Sequence, residues 1–281
     1  MYELHTLTEG LVVGESPRWH DGRLWFANWG VAQEIAAIDT DGTREVVGRG
    51  PKLAGYCIDW LPDGRLLVTG EDKLLRVEAD GAQVTHADLS GRASSLNEVT
   101  VDGRGNIYVN DVGFAFGQAE FRPGSILLIT PDGAVREVAD QVMFPNGMVI
   151  TPDGGTLIVA ESWASRLTAF DIEPDGSLSH RRVFASVGGD GLTLDADGAV
   201  WASDMAEDRP VVRRVADGGK VLDEFELDAA CFACALGGPD GRTLFMMVAE
   251  WSGIANMPQM FQRYGGRILT TTAPAPHAGR P

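Results

Sequence analysis

Glu15, Asn97, Asn146 and Asp190 are the residues of this chain whose types and spacing could do chemistry together. They occupy one position of a repeating unit. Each unit closes on a turn glycine ahead of an apolar run: Gly22, Gly64, Gly105, Gly154, Gly198 and Gly241, at steps of 42, 41, 49, 44 and 43 residues. Eight residues before the third, fourth and fifth glycines stand Asn97, Asn146 and Asp190; the first unit is one residue tighter and puts Glu15 seven before Gly22. The second and sixth units carry Tyr56 and Ala233 there. Two carboxylates and two carboxamides, with no sulfur and no imidazole, are donors for a hard divalent cation: Ca²⁺ first, with Mg²⁺, Mn²⁺ or Zn²⁺ as other occupants. Ca²⁺ takes about 6–8 oxygens, so four protein donors leave positions for water and substrate. Any one of these residues is an ordinary turn or strand-end polar group. Four in one register are not explained by turn preference.

A repeat of roughly 40–50 residues built from short strands is the signature of a β-propeller. Each unit shows two hairpin signals. The first is the glycine turn above; the second is Asp41-Gly42, Asp80-Gly81, Asp132-Gly133, Asp175-Gly176 or Asp217-Gly218, set between β-branched runs. Asp-Gly supplies the positive φ that a tight hairpin needs. Two hairpins make one four-stranded antiparallel blade, so the expected fold is all-β, a six-bladed propeller. The first strand of each blade lines the central channel, which brings the four candidate ligands around one axis. Residues 2–13 and Arg267–Thr272 have no hairpin partner of their own. Pairing them in one blade closes the ring and removes an exposed edge. Residues 1–272 are expected to form a single domain and 273–281 a loose tail.

The loops between second and third strands lie over the site: 28–34, 70–73, 110–124, 161–166, 204–210 and 250–265. The longer ones carry Phe114, Phe116, Phe121, Trp251, Met257, Met260 and Phe261, and the shorter ones Trp29 and Trp163. Ligand sites are usually apolar clefts with a few placed polar groups. Packing of the loops onto themselves accounts for such residues equally well.

"GESPRW" around Glu15, "LNEVTVDGRGNIYV" around Asn97, "FPNGM" around Asn146 and "DGLTLDADGAVW" from Asp190 resemble the senescence-marker-protein / gluconolactonase / regucalcin-like family over about residues 8 to 270. The first and third motifs are the more specific. The resemblance implies a six-bladed propeller, one divalent metal in the channel and hydrolysis of lactones. It matches Glu15, Asn146 and Asp190 to three constant metal ligands, and Asn97 to a position that meets metal, metal-bound water or substrate. Sugar-lactonase members often carry Arg two residues before that Asn; here the residue is Ser95, and the acidic residue after it, often Asp, is Glu98. With the aromatic loops, this favours a lactone or ester with an apolar body. Arg122, in the long loop of the third unit, is a candidate replacement cation. Asn97, Ser95, Arg122, Tyr56 and Trp29 are thus the candidate substrate contacts.

The expected mechanism is metal-assisted hydrolysis, in which a cation polarises the carbonyl and an activated water attacks. Asp190 is the candidate general base. A carboxylate beside a divalent cation is a weak base, so water activated by the cation competes for the role. A phosphotriesterase or arylesterase on the same cation is the alternative enzyme. A binding module with a structural Ca²⁺ and a metal-free synthase-like propeller are the other classes.

The net charge of −17 argues against a nucleic-acid partner. Three cysteines make no disulfide framework, and Cys231 and Cys234, three apart on a strand, are expected to be buried thiols. None of the five histidines heads a channel strand, and His20 is expected to face solvent. No apolar run reaches the ~18 residues of a membrane span, and no basic start marks a signal peptide. A cytoplasmic protein acting on a small molecule is the expectation, with no sequence feature specifying an oligomer.

Overall fold

In a computed structural model, which describes residues 2–279, the chain forms six four-stranded antiparallel sheets. They are the blades of a six-bladed propeller. The innermost strands, in chain order, are Gly14–His20, Ile58–Trp60, Leu96–Val101, Pro145–Ile150, Thr193–Leu194 and Ala230–Gly237. The sixth blade is composite: Thr243–Ala249 and Gly266–Thr272 follow Ala230–Gly237, and the N-terminal strand His5–Leu11 completes it, His5 opposite Thr270 and Leu11 opposite Gly266. The ring is therefore closed by strands from both ends of the chain, as expected.

Local chemistry explains the blades. The six turn glycines all lie at positive φ, and so do Gly42, Gly81, Gly133, Gly176 and Gly218 of the second hairpins. That region is costly for a residue with a Cβ. The Asp side chains of these turns accept backbone N–H groups two residues on, as Asp63 does from Arg65 and Asp153 from Gly155. Between neighbouring blades the apolar faces interlock: Met148, Leu157 and Phe170 of the fourth blade pack on Tyr108, Ile126 and Leu128 of the third. Each such buried aliphatic or aromatic side chain is worth ~1.5–3 kcal/mol.

Two expectations give way. Residues 204–210 are not a loop; Val200–Ala206 and Arg209–Val215 run on to a two-residue turn at Glu207 and Asp208, both at positive φ. Continued ladder pairing of Asp204 with Val211 and Met205 with Pro210 accounts for this. The tail from Ala273 to Gly279 is docked rather than loose. His277 donates its N–H to Gly241, Ala278 to Leu194 and Ala273 to Arg242, while Ala196 donates to Pro276. Ala273 and Ala275 are buried. Short alanine side chains let this strap lie flat under the turns of the fifth and sixth blades, on the face opposite the candidate site.

No helix among the described residues is long and apolar enough to cross a membrane. Cys57, Cys231 and Cys234 are buried free thiols, and burial pushes Cys234 up to about 12.

Candidate functional site

The innermost strands do not run straight past the channel. Between Glu15 and Arg18, between Leu96 and Val99, and between Pro145 and Met148, two residues on the inner strand oppose one on its neighbour. These are β-bulges, which re-aim side chains. They fall at Ser16-Pro17, Asn97-Glu98 and Asn146-Gly147, so Asn97 and Asn146 sit in a bulge and Glu15 immediately before one, while Asp190 precedes the short strand Thr193–Leu194 without a bulge. Ser16 itself adopts φ 49°. Its hydroxyl accepts the Ile58 N–H at 2.9 Å, stitching the first blade to the second.

Three of the candidates are linked directly or through their neighbours. The Asn146 side chain donates to the Asp190 carboxylate. Asn97 Nδ2 donates to the Pro145 carbonyl at 3.2 Å, one residue before Asn146. The Gly147 N–H donates to the Asp190 carbonyl at 3.0 Å. A Cβ on Gly147 would collide with that carbonyl oxygen, which is why "FPNGM" needs its glycine. Glu15, 5% exposed, faces Asp190 electrostatically across the ring.

The electrostatics define what the pair lacks. Burial pushes the Asp190 carboxyl up to about 7; the Asn146 hydrogen bond pulls it down and the Glu98 charge adds to the rise. Burial, then the charges of Asp190 and Glu98, hold Glu15 well above the usual carboxylate range, and the Ser16 N–H and Arg18 offset this only in part. Arg18 is spent elsewhere. Its Nη2 donates to Glu98 Oε1 at 2.8 Å and to the Val99 carbonyl at 3.0 Å. So Glu15, buried, and Asp190, half-buried, form a carboxylate pair with no ion-pair partner among the described residues, an arrangement that is costly unless a proton or a cation joins it. Two carboxylates beside two amides suit a hard cation. No group of three or more His, Cys, Asp or Glu side chains suited to a metal exists among the described residues, which leaves no sulfur- or imidazole-rich alternative.

The proposed substrate contacts are placed unevenly. Ser95 and Asn97 are half-buried at the channel end of the third blade; Asp111 Oδ1 accepts the N–H groups of Ser94 and Ser95 at 2.8 and 2.6 Å and shapes that approach. Arg122 is exposed in the long third-blade loop, with no ion pair among the described residues. Trp29 is half-buried, its Nε1 donating to the Tyr56 carbonyl at 2.6 Å and its ring meeting Phe261 edge-on. Tyr56 is 1% exposed, and its hydroxyl donates to the Glu34 carbonyl at 2.8 Å. Its ring is packed with Ala27, Ile35 and Ile58, leaving no side-chain surface for a ligand.

Counting by eight also misses the sixth blade. There the bulge holds Phe232, between Cys231 and Ala233. The Gly191 N–H donates to the Phe232 carbonyl at 2.8 Å, just as Gly147 donates to Asp190. Phe232, half-buried, is therefore the counterpart of Asp190, and Ala233 lies in the core. Asn110 was also invisible to the pattern. It is fully buried, accepts the Glu98 N–H at 2.8 Å and donates to the Asn146 carbonyl at 2.7 Å. Its amide completes the rung between third and fourth blades that a bare backbone makes elsewhere.

Two apolar walls stand over the site. Over the third and fourth blades Phe114, Phe116, Phe121, Phe144 and Trp163 interlock, with Phe144 and Trp163 stacked at 5.2 Å. Over the sixth and first, Trp29, Phe232, Met260 and Phe261 pack on Val12, Val13 and Ala32. Histidine is absent from this chemistry: His5, His86 and His180 lie on outer strands and His277 in the strap. His20 is not simply solvent-facing but stacks on Trp60 at 4.1 Å. A cavity of about 710 Å³ along the closing blade, lined by Tyr2, His5, Thr270 and Thr272 among others, is remote from the carboxylate pair.

Residues 13–250 match the model of the SMP-30/gluconolactonase/LRE-like region. The chain belongs to that family. Among relatives, a diisopropyl-fluorophosphatase from Loligo vulgaris is 27% identical over 208 residues, 63% of this chain and 66% of that one, so under two thirds of the squid enzyme is matched. A 6-deoxy-6-sulfogluconolactonase from Pseudomonas putida is 25% identical over 248 residues, 84% of this chain and 82% of that one. Among solved structures, a calcium-binding protein, regucalcin, from Agrobacterium tumefaciens superposes with a TM-score of 0.77 at 21% identity, covering 98% of this chain and 97% of that one. At that identity the likeness speaks for the fold.

Proposed function

We propose that this chain is a divalent-cation-dependent hydrolase that opens lactones with an apolar body. The observation that carries the reading is the Glu15–Asp190 pair, one carboxylate buried and the other half-buried, flanked by Asn97 and Asn146 and without an ion-pair partner among the described residues. These four residues would hold the cation, Ca²⁺ by their all-oxygen chemistry, and the likeness to a lactonase supports the hydrolase reading. When bound, the cation supplies a Lewis acid for the ester carbonyl and acidifies water. Asp190 accepts the proton of the attacking water and returns it to the leaving alkoxide. Asn146 orients Asp190 through its amide. Asn97, whose Nδ2 is tied to the Pro145 carbonyl, keeps its side-chain oxygen free to serve as a donor to the cation. The two aromatic and apolar walls hold the substrate body and exclude water, while Ser95 leaves no cation there for a sugar acid. Arg122, exposed on the Phe-rich loop, meets a polar substituent at the rim.

The likeness to a diisopropyl-fluorophosphatase favours a second reading, phosphotriester hydrolysis at the same centre. Proton release from sugar, alkyl and aryl lactones and a phosphotriester, using chelated protein and then protein with Ca²⁺, Mn²⁺ or Zn²⁺ restored, separates them. Cation-dependent turnover of the apolar lactones is expected. Turnover of the phosphotriester alone selects the second reading, and no turnover of any substrate overturns both.

A further inference from the structure

One corner of the fourth blade holds both ligand-bearing segments. Strand Thr156–Glu161 ends in a single turn, Ser162–Ala164, before Arg166–Ile172 returns. The Ser162 N–H donates to the Phe144 carbonyl at 3.1 Å and the Trp163 N–H to the Met143 carbonyl at 3.2 Å. Glu161 Oε2 accepts the Met143 N–H at 2.8 Å. Every one of these bonds lands two or three residues before Asn146. In the other direction, Ser162 Oγ donates to the Gly189 carbonyl at 2.8 Å, one residue before Asp190.

The corner is itself clamped. Glu161, 0% exposed, accepts Arg166 Nε at 2.9 Å and Nη2 at 3.0 Å, Arg181 Nη2 at 3.0 Å, and the Thr168 hydroxyl. Phe144 is held at φ 60°, a region where a bulky side chain does not settle unless its surroundings over-determine it. A polar network whose members are all satisfied rigidifies its neighbourhood.

We propose that Ser162 is a positioning residue that sets the spacing of Asn146 and Asp190, with Glu161 anchoring the Met143–Phe144 side of the same corner. The proposal rests on the reading that these two residues bind the cation. The backbone bonds of Ser162 survive side-chain truncation, so Ser162→Ala removes only the tie to Gly189. Asp190 is then held to the fourth blade by the Asn146 amide and the Gly147 N–H alone, and its carboxylate loses a fixed origin.

The test is calorimetric titration of chelated wild type, Ser162→Ala and Ser162→Thr with Ca²⁺, beside the thermal midpoint of each metal-free protein. Loss of outer partners of metal ligands weakens affinity by ~10–100-fold. The expected result is roughly tenfold weaker binding for Ser162→Ala with a metal-free midpoint close to wild type, and recovery in Ser162→Thr, which keeps the hydroxyl. Wild-type affinity in Ser162→Ala overturns the proposal and leaves the reading of the site intact. A parallel fall in affinity and metal-free midpoint, in both variants alike, assigns Ser162 a merely structural role and overturns it too. A wild-type protein that binds neither Ca²⁺, Mn²⁺ nor Zn²⁺ overturns the reading of the site together with the proposal.

Discussion

Asp190→Asn should change how the metal-free protein's stability depends on pH. In the folded chain burial moves this carboxyl from an ordinary 3.8 to about 7. A raised carboxyl favours its protonated form in the fold, so the stability present below pH ~4 is withdrawn as pH rises towards 7. At ~1.4 kcal/mol per tenfold change in proton affinity, the step amounts to about 4 kcal/mol. Glu15, also raised by burial, acts in the same direction. His86 opposes them, because burial and then Arg76 lower its pKa and its contribution to stability grows as pH rises. The repulsion of a chain carrying −17 adds a general decline. Both His86 and the net repulsion are nearly common to wild type and variant, so the difference between the two proteins reports Asp190 together with the rise its charge imposes on Glu15.

The assay is thermal or urea unfolding of chelated protein from pH 5 to 8. Wild type is expected to lose about 2–3 kcal/mol more than Asp190→Asn over that range, on the order of 10 °C in midpoint. Ca²⁺ at ~100 times its dissociation constant should return about 2.7 kcal/mol to wild type and little to the variant. Parallel pH profiles for the two proteins would refute the claim that the channel holds an uncompensated carboxylate. Recovery of Asp190→Asn by Ca²⁺ to the same extent as wild type would refute its role as a ligand.

Three further outcomes follow from the same geometry. Gly147→Ala drives a methyl into the Asp190 carbonyl and should abolish cation binding in a calorimetric titration, whereas Tyr56→Phe, which removes the hydroxyl's bond to the Glu34 carbonyl and its longer contact with the Asn28 carbonyl, should cost about 1 kcal/mol of stability and leave turnover unchanged. Removing residues 273–281 strips the strap from the fifth and sixth blades, and should lower the thermal midpoint without altering cation affinity at the far end of the channel.

The sequence by itself determined the six repeats, the antiparallel blades and the sharing of a blade by both chain ends; it also offered Glu15, Asn97, Asn146 and Asp190 as one register, although Glu15 precedes its bulge where Asn97 and Asn146 lie within theirs. All of these rest on local rules: Asp-Gly turns demand positive φ, alternation demands a strand, and an unpaired strand demands a partner. What escaped was whatever depends on a neighbouring blade. A bulge of one residue moved the sixth channel position from Ala233 to Phe232, since counting along a chain assumes regular strands. The Tyr56 ring took the gap between first and second blades because core volume, not repeat position, chose its rotamer. Arg18 bound Glu98 across about eighty residues of sequence, and so left Glu15 and Asp190 without a counter-charge. Asn110 and Ser162 acquired their roles only where one blade's side chain met the next blade's carbonyl. Turn and strand identity are short-range properties that a sequence carries in its pattern, whereas charge pairing and close packing are set by which surfaces the closed ring brings face to face.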